Sequence, residues 1–433
     1  MKKYNVYLGS CPEYNPDTVA GLIETAIPKL NLKKSISGRI VIKPNLVMAH
    51  PKVATEGYTR AEVVEGLIRF LKKDGMTPGS IRIVEKSGLG VTTAAAFRYA
   101  GYKKLARKFG IKLIAMEESR QRRVELKSGR IHNILHIAAE LADRDFLIFM
   151  PKLKTNVLAH GFTGALKLNI GTVDSRERMY KHNIDLPVKI VDILEAANPD
   201  LIITDGIRFS FGGNQMTQGA IPLGVLAIAD NAVAHDMICS ELIGLDPFGI
   251  EHIREAVDRG YGPASMAEIQ VHGEIDPEAI KNQVKDLDFG FYPVQQFPEK
   301  HPCRLKIISG EPYCTGGCQG IFLDWLHMIK DRKPHLLKRF PDMTVLVSKT
   351  DEAVSARRIL LVGDCAIQSP HVKARRKIRI RGCPPTHKRI VWDMMVNLAL
   401  LAPLVRPSLI WDGFVAYPLK KVKGFIIRLF CRP

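Results

Sequence analysis

Short apolar runs rich in β-branched residues, at 39–42, 81–84, 111–114, 146–149 and 201–203, alternate along this chain with stretches of helical apolar period. That rhythm narrows the choice of fold more than any other feature. Runs that are apolar at nearly every position suit strands buried on both faces, and such strands are mostly parallel and joined by crossover helices. The stretch 59–73 reads as one of those helices, with Thr59 as its expected N-cap and Gly75 beyond its end. The expectation over 1–272 is therefore an α/β domain, a mostly parallel sheet in three layers. Residues 273–300, rich in Asp, Pro, Gln and Lys, break the rhythm and are expected to form a linker or surface arm. A smaller α/β domain containing cysteines is expected at 301–393, with strands at 305–308, 344–347 and 359–362 and helices at 321–329 and 388–401. Residues 394–433 form an apolar and basic tail. The 433 residues, 46% hydrophobic and 25% charged, are enough for two buried cores.

Four cysteines of the second domain stand in loop-like surroundings: Cys314-Thr315-Gly316-Gly317-Cys318, Gly363-Asp364-Cys365 and Gly382-Cys383-Pro384-Pro385. Thiolates bind iron–sulfur clusters and zinc, and Gly and Pro let backbone fold round such a centre. Cys314, Cys318, Cys365 and Cys383 are the candidate metal ligands, for a [4Fe–4S] cluster or, alternatively, for zinc. The spacing, CxxxC followed by gaps of 46 and 17 residues, matches no ferredoxin or zinc-finger pattern. The rival reading is that several are ordinary buried thiols, as Cys239 in Met237-Ile238-Cys239 is expected to be. Cys303 is held in reserve as a ligand, and Cys11, Cys239 and Cys431 are expected to stand apart.

In the first domain, polar groups follow the strand ends. Lys43 and Asn45 close the run 39–42, and Lys152 and Lys154 follow 146–149, with His160, Lys167 and Asn169 in a Gly-punctuated segment beyond. Four lysines near one sheet edge would make an electropositive cleft for a carboxylate or phosphate. The alternative is that each is a solvated strand-end residue. Asp205, before Gly206, adds a carboxylate opposite them, whereas Asp230 suits an N-cap. Lys154, Lys167 and Asp205 are the candidates for catalysis, and Lys43, Asn45, Lys152, His160 and Asn169 for substrate binding. His132 and His136 have the spacing of a helix face but lack the Glu of a zincin motif, and no phosphate loop or complete dinucleotide fingerprint occurs.

Val41-Ile42-Lys43-Pro44-Asn45-Leu46, Pro151-Lys152-Leu153-Lys154-Thr155, Gly164-Ala165-Leu166-Lys167-Leu168-Asn169-Ile170-Gly171, Ile203-Thr204-Asp205-Gly206 and Ala229-Asp230-Asn231-Ala232-Val233-Ala234-His235-Asp236 together resemble the DUF362 family, an uncharacterised domain often found with iron–sulfur motifs. The resemblance covers roughly residues 40–245 and implies the fold and a cluster, not a reaction. The region from Cys314 to Cys383 looks like a C-terminal extension of some members, and Gly382-Cys383-Pro384-Pro385 is similar to a cluster-ligand motif of respiratory-complex and hydrogenase small subunits. There is no CxxCxxC insertion, so the cluster rests on the four scattered cysteines alone. His235 stands where the family pattern leads us to expect a small or hydrophobic residue.

The 63 Lys and Arg exceed the 44 Asp and Glu by 19, which favours anionic partners. Lys373, Arg375, Arg376, Lys377, Arg379 and Arg381 lie between Cys365 and Cys383 without an acid among them. They are read as a docking face for an acidic electron-transfer partner or as a plain solvated face; no RNP, KH or zinc-finger signature supports nucleic acid. The tail mixes Trp, Tyr, apolar and basic residues, which suits peripheral contact with a membrane interface and equally a tail packed on its own domain. Its apolar run is interrupted well short of the roughly 20 residues of a transmembrane helix. The first residues lack the apolar core of a secretory signal, so a cytoplasmic protein is expected, in which cysteines serve metal or redox chemistry more than disulfides. The functional expectation is an iron–sulfur oxidoreductase acting on an anionic small molecule. A non-redox enzyme with structural zinc and a non-catalytic binding or assembly protein are its rivals.

Overall fold

The computed structural model describes residues 4–88, 91–158, 161–174, 177–178, 180, 185–213, 216, 218–398 and 407–430. Its larger sheet runs, in spatial order, through strands Ile269–Gly273, Tyr4–Ser10, Gly219–Ala229, Leu201–Phe211, Phe146–Met150, Ile40–Pro44, Ile81–Glu85 and Lys112–Ala115, and a short strand, Lys152–Lys154, also pairs with Leu201–Phe211. From Leu201–Phe211 to Lys112–Ala115 every pairing is parallel, while Gly219–Ala229 is antiparallel to both of its neighbours. Alternate side chains of the central strands enter different cores. Val41, Leu147, Phe149 and Ile202 pack with helices Leu186–Ala196 and Ala232–Leu242. Ile40, Ile42, Ile148 and Ile203 pack on the other face with helices Pro16–Ala26 and Ala61–Lys73. Period-two alternation with both faces apolar is what gives the continuous runs in the sequence and the three-layer domain they predict.

Local details depart from expectation in ways that shape the site. Arg60, not Thr59, precedes helix Ala61–Lys73 as its cap. The Thr59 hydroxyl donates to the Met150 carbonyl (2.7 Å) and accepts from Asn45 N (3.2 Å), pinning the loop after Ile40–Pro44 to the end of the neighbouring strand. Asn231, not Asp230, caps helix Ala232–Leu242; Asp230 accepts from Asn31 N instead (2.6 Å). His132 and His136 share no helix. His136 lies in a two-stranded ribbon and bonds Glu177 (2.8 Å), and His132 lies near buried Asp192 (3.4 Å).

The smaller sheet has four parallel strands in chain order, Leu305–Ser309, Met343–Val347, Val354–Val362 and Val372–Ile380. Helix Cys318–Arg332 covers one face through Phe322, Trp325, Leu326 and Ile329. Residues 273–300 join the two units and are embedded in both. Ile280 and Val284 pack into the first core, Val294 and Phe297 into that of the small sheet, and at the crossing His327 Nε2 lies 2.9 Å from the Gly290 carbonyl oxygen.

Candidate functional site

The carboxyl ends of the parallel strands in the large sheet deliver the lysines. Lys43 is the fourth residue of Ile40–Pro44, and its ammonium donates to Glu85 Oε1 (2.8 Å) and the Pro44 carbonyl (3.1 Å). Burial works against charge on both members of this pair, pulling Lys43 down and pushing Glu85 up, while each favours the charged form of the other. In Lys152–Lys154 the two lysines are two residues apart and share a face, leaving Leu153 to the core. Lys152 donates to Asp205 (2.9 Å). Lys154 donates to the Gly57 carbonyl (3.0 Å) and has no ion pair with a carboxylate among the described residues. Burial, then the neighbouring Lys152, lower its pKa to about 7.

Lys167 stands on the short helix Ala165–Leu168 and donates to Asn156 Oδ1 (3.3 Å). Burial lowers its pKa to about 7, with Lys154 and Arg178 adding to the effect and Asp324 opposing it. The turn that carries it is held from below. Asp236 accepts from Ala165 N (2.7 Å) and Leu166 N (2.9 Å), and His235 in turn braces Asp236 (2.7 Å) and reaches Thr204 Oγ1 (2.7 Å) and Cys239 Sγ (3.3 Å). Gly164 is required here, because a Cβ on it would run into the Asp236 carboxylate. The structural role of His235 thus lies in this buried network.

A cavity of about 230 Å³ lies over these groups, lined by Lys43, Asn45, Lys152, Lys154, Lys167 and Arg178 among others. Glu85 is its carboxylate on the large-sheet side, already taken by Lys43. Two expected site residues fall elsewhere. Asp205 does not line the cavity: the strand continues past it to Phe211, and its carboxylate is consumed by Lys152, by the Tyr14 hydroxyl (3.1 Å) and by Arg60 N (3.0 Å), so it is a buried anchor for Lys152. Asn169 turns away to donate to the Ile190 carbonyl (2.7 Å). His160 lies outside the described residues. Conversely, sequence reasoning missed Arg178 and Asp324. Arg178 sits in a charged stretch that reads as solvated, but a lone Asp amid Ile321, Phe322, Leu323 and Trp325 was a signal, since a carboxylate in an apolar helix is seldom buried without purpose.

The rest of the cavity wall comes from the smaller unit: Ile321 and Asp324 of the helix starting at Cys318, and Pro385 and Thr386 of the loop after Cys383. All four candidate cysteine ligands lie at the carboxyl edge of the small sheet. Cys314 and Cys318 follow its first strand, Cys365 its third and Cys383 its fourth. The loops interlock: Gly363 N donates to the Ile380 carbonyl (2.8 Å), Asp364 N to the Gly382 carbonyl (3.1 Å), and Gly382 N to Asp364 Oδ1 (3.0 Å). Gly363, at φ +92°, abuts Cys318, and a Cβ there would overlap the Cys318 sulfur. Cys365 also hydrogen-bonds Cys383. Burial raises the Cys314 thiol to about 11 and the Cys318 thiol to about 12; Cys383 and Cys365 add to the rise at both, and Cys314 adds to it at Cys318. Among the described residues, no group of three or more His, Cys, Asp or Glu side chains is set to hold a single metal ion. The four thiols are nonetheless near enough to one another to interact electrostatically. As a donor set, with Gly363 leaving the Cys318 sulfur room, four thiols suit a thiolate-ligated centre. Cys303 precedes the first strand, at the opposite end of the small sheet, while Cys11 and Cys239 are buried in the large unit. Cys431 lies outside the described residues.

The fourth strand of the small sheet, Val372–Ile380, is an edge strand. Arg375, Arg376, Lys377, Arg379 and, just beyond it, Arg381 are exposed. Among the described residues no helix is long and apolar enough to cross a membrane.

Residues 40–241 match the model of DUF362, a domain of unknown function. A curated relative, the Thylakoid-associated protein sll1697 of Synechocystis sp., is 25% identical over 289 residues, 61% of this chain and 82% of that protein. Among solved structures, the lactate racemase apoprotein from Thermoanaerobacterium thermosaccharolyticum aligns with a TM-score of 0.36 at 13% identity, over 55% of this chain and 57% of that one.

Proposed function

We propose, from the match of residues 40–241 to the DUF362 model, that the chain is an iron–sulfur redox enzyme whose substrate is a small anion held by Lys154, Lys167 and Arg178. One observation carries the reading: the cysteine loops and the lysine cavity share a wall. Pro385 and Thr386 come two and three residues after Cys383, and Ile321 three after Cys318. When bound at Cys314, Cys318, Cys365 and Cys383, a [4Fe–4S] cluster would supply single electrons to the neighbouring cavity. The protein's own residues supply recognition and proton control. Lys154 and Lys167, both lowered to about 7, take up protons when an anion enters, and Arg178 adds a planar donor set suited to carboxylate or phosphate. Burial keeps water from competing for them.

Four thiolates would also suit zinc, in a non-redox enzyme or a binding protein. The two differ in content: zinc would be one ion bound by sulfurs about 2.3 Å away, without sulfide, whereas a cluster brings iron and sulfide together. The exposed arginines on the strand leading to Cys383 suit an acidic electron donor. Peripheral contact with a membrane accords with the curated relative being described as thylakoid-associated.

The test is the iron, acid-labile sulfide and zinc content of anaerobically purified full-length protein, with its visible absorption. About four irons and four sulfides per chain are expected, with a sharp fall in Cys318→Ser. One zinc and no sulfide would overturn the redox reading while leaving anion binding to be measured separately.

A further inference from the structure

The C-terminal helical run is mounted with its apolar side outward. Pro407–Trp411, the π turn Asp412–Ala416 and Tyr417–Phe430 follow one another without a break. The side resting on the protein is polar: Ser408 meets His50 (3.2 Å), Asp412 is buried, and Lys420 and Lys423 both reach Glu118 (2.6 Å each), with Gly424 buried beside them. The side facing solvent carries Trp411, Phe414, Leu419, Val422, Phe425 and Ile426, the first three each more than 60% exposed. A helix packed only for the stability of its own domain buries such a stripe. The exposed apolar area is on the order of 600 Å², at the upper end for a monomer's largest patch.

The chemistry beside the stripe identifies its partner. Lys421 is exposed and stacks on Tyr417 (5.0 Å), and Lys420 and Lys423 bring two positive charges to the single carboxylate of Glu118. The stripe is therefore flanked by net positive charge, with Trp411 and Tyr417 as amphipathic rings at the level where apolar and polar surfaces meet. A second copy of the chain, itself of net charge +19, would set like charges against this rim. An anionic bilayer matches both the apolar stripe and the rim.

We propose that the outer face of residues 407–430 is a membrane-surface anchor, lying in the headgroup region of an anionic bilayer with Trp411, Phe414, Leu419, Val422, Phe425 and Ile426 inserted and Lys421 beside the phosphates. The anchor does not cross the bilayer. It also sits next to the cavity, because Tyr417 lies within electrostatic reach of Arg178 and Ser408 is bonded to His50 in the loop after Ile40–Pro44. Docking thus holds the cavity close to the membrane surface.

The test is co-sedimentation of the full-length protein with vesicles of phosphatidylglycerol and phosphatidylcholine, and with phosphatidylcholine alone. Binding is expected to the anionic vesicles, weakening with salt. The double variant Phe414→Asp, Phe425→Asp should lower the partition coefficient roughly tenfold or more, with an unchanged circular dichroism spectrum because both side chains are exposed. Lys421→Glu should weaken binding to anionic vesicles only. Failure of the wild type to sediment with anionic vesicles at low salt, or equal binding by the double variant, would overturn the anchor. So would a lipid-free dimer, seen by light scattering, that the double variant abolishes, since a second copy would then cover the stripe.

Discussion

Replacing Lys154 with Met removes a buried ammonium whose burden on folding can be worked out. Lys154 is 3% exposed and donates to one carbonyl, and burial, then Lys152, bring its pKa from 10.5 to about 7. In the unfolded chain the same lysine keeps its proton to about pH 10. Between pH 7 and 10.5 the unfolded state therefore binds more protons than the folded one, so this residue makes the free energy of unfolding rise with pH. Below pH 7 both states are protonated and the penalty is at its full size; above 10.5 it has gone. A whole proton of difference corresponds to about 1.4 kcal/mol per pH unit, so the penalty is roughly 4 kcal/mol at pH 7 and about 2 kcal/mol at pH 9. Met fills a similar volume and carries no proton. In urea unfolding followed by circular dichroism, in phosphate-free buffer at fixed ionic strength, wild type should gain about 2 kcal/mol more than Lys154→Met between pH 7 and pH 9. Parallel pH profiles, or a variant less stable than wild type at pH 7, would refute the reasoning.

Three further outcomes are expected. Lys167→Met should weaken binding of inorganic phosphate about tenfold in calorimetry, and comparison of buffers with different ionisation enthalpies should show wild type taking up protons on binding near pH 8 and the variant taking up fewer; equal uptake would count against Lys167 as an anion ligand. Gly363→Ala forces a side chain at φ +92° against the Cys318 sulfur, so a loss of about 1–3 kcal/mol and a lower metal content should follow, whereas full metal retention would mean that the loop has room. Asp236→Asn turns an NH2 donor toward one helix-start amide, at Ala165 or Leu166, and leaves it without an acceptor; a stability loss of about 1–3 kcal/mol and weaker phosphate binding are expected, and unchanged phosphate affinity would separate this network from the positioning of Lys167.

How much of this was legible in the sequence follows from where the forces act. The central strands were readable because burial on both faces demands apolar residues at every position, as in Phe146–Met150. Lys43 and Lys152 were readable because a charge directly after such a run has to lie at a strand end. Tyr4–Ser10 and Gly219–Ala229, which pair with each other in antiparallel register, carry no comparable mark of partner or direction. Asp205 was misread because Gly206 resembles a strand terminus, yet the strand runs through it, and an Asp before a Gly looks the same whether exposed or locked to a lysine. The cysteine loops announced themselves through Gly and Pro. Their shared wall with the cavity did not, since contacts between residues as far apart in sequence as Lys167 and Thr386 leave no local pattern.

That shared wall makes the two units thermodynamically dependent on each other. An occupant touching both Lys167 and Thr386 binds only when the large and small sheets are docked, so it must stabilise the docked arrangement in proportion to the logarithm of its concentration over its dissociation constant. Linkage is reciprocal: whatever fastens the loops of Cys318 and Cys383 tightens the hold on the occupant, and the occupant slows the opening through which those loops would release what they carry.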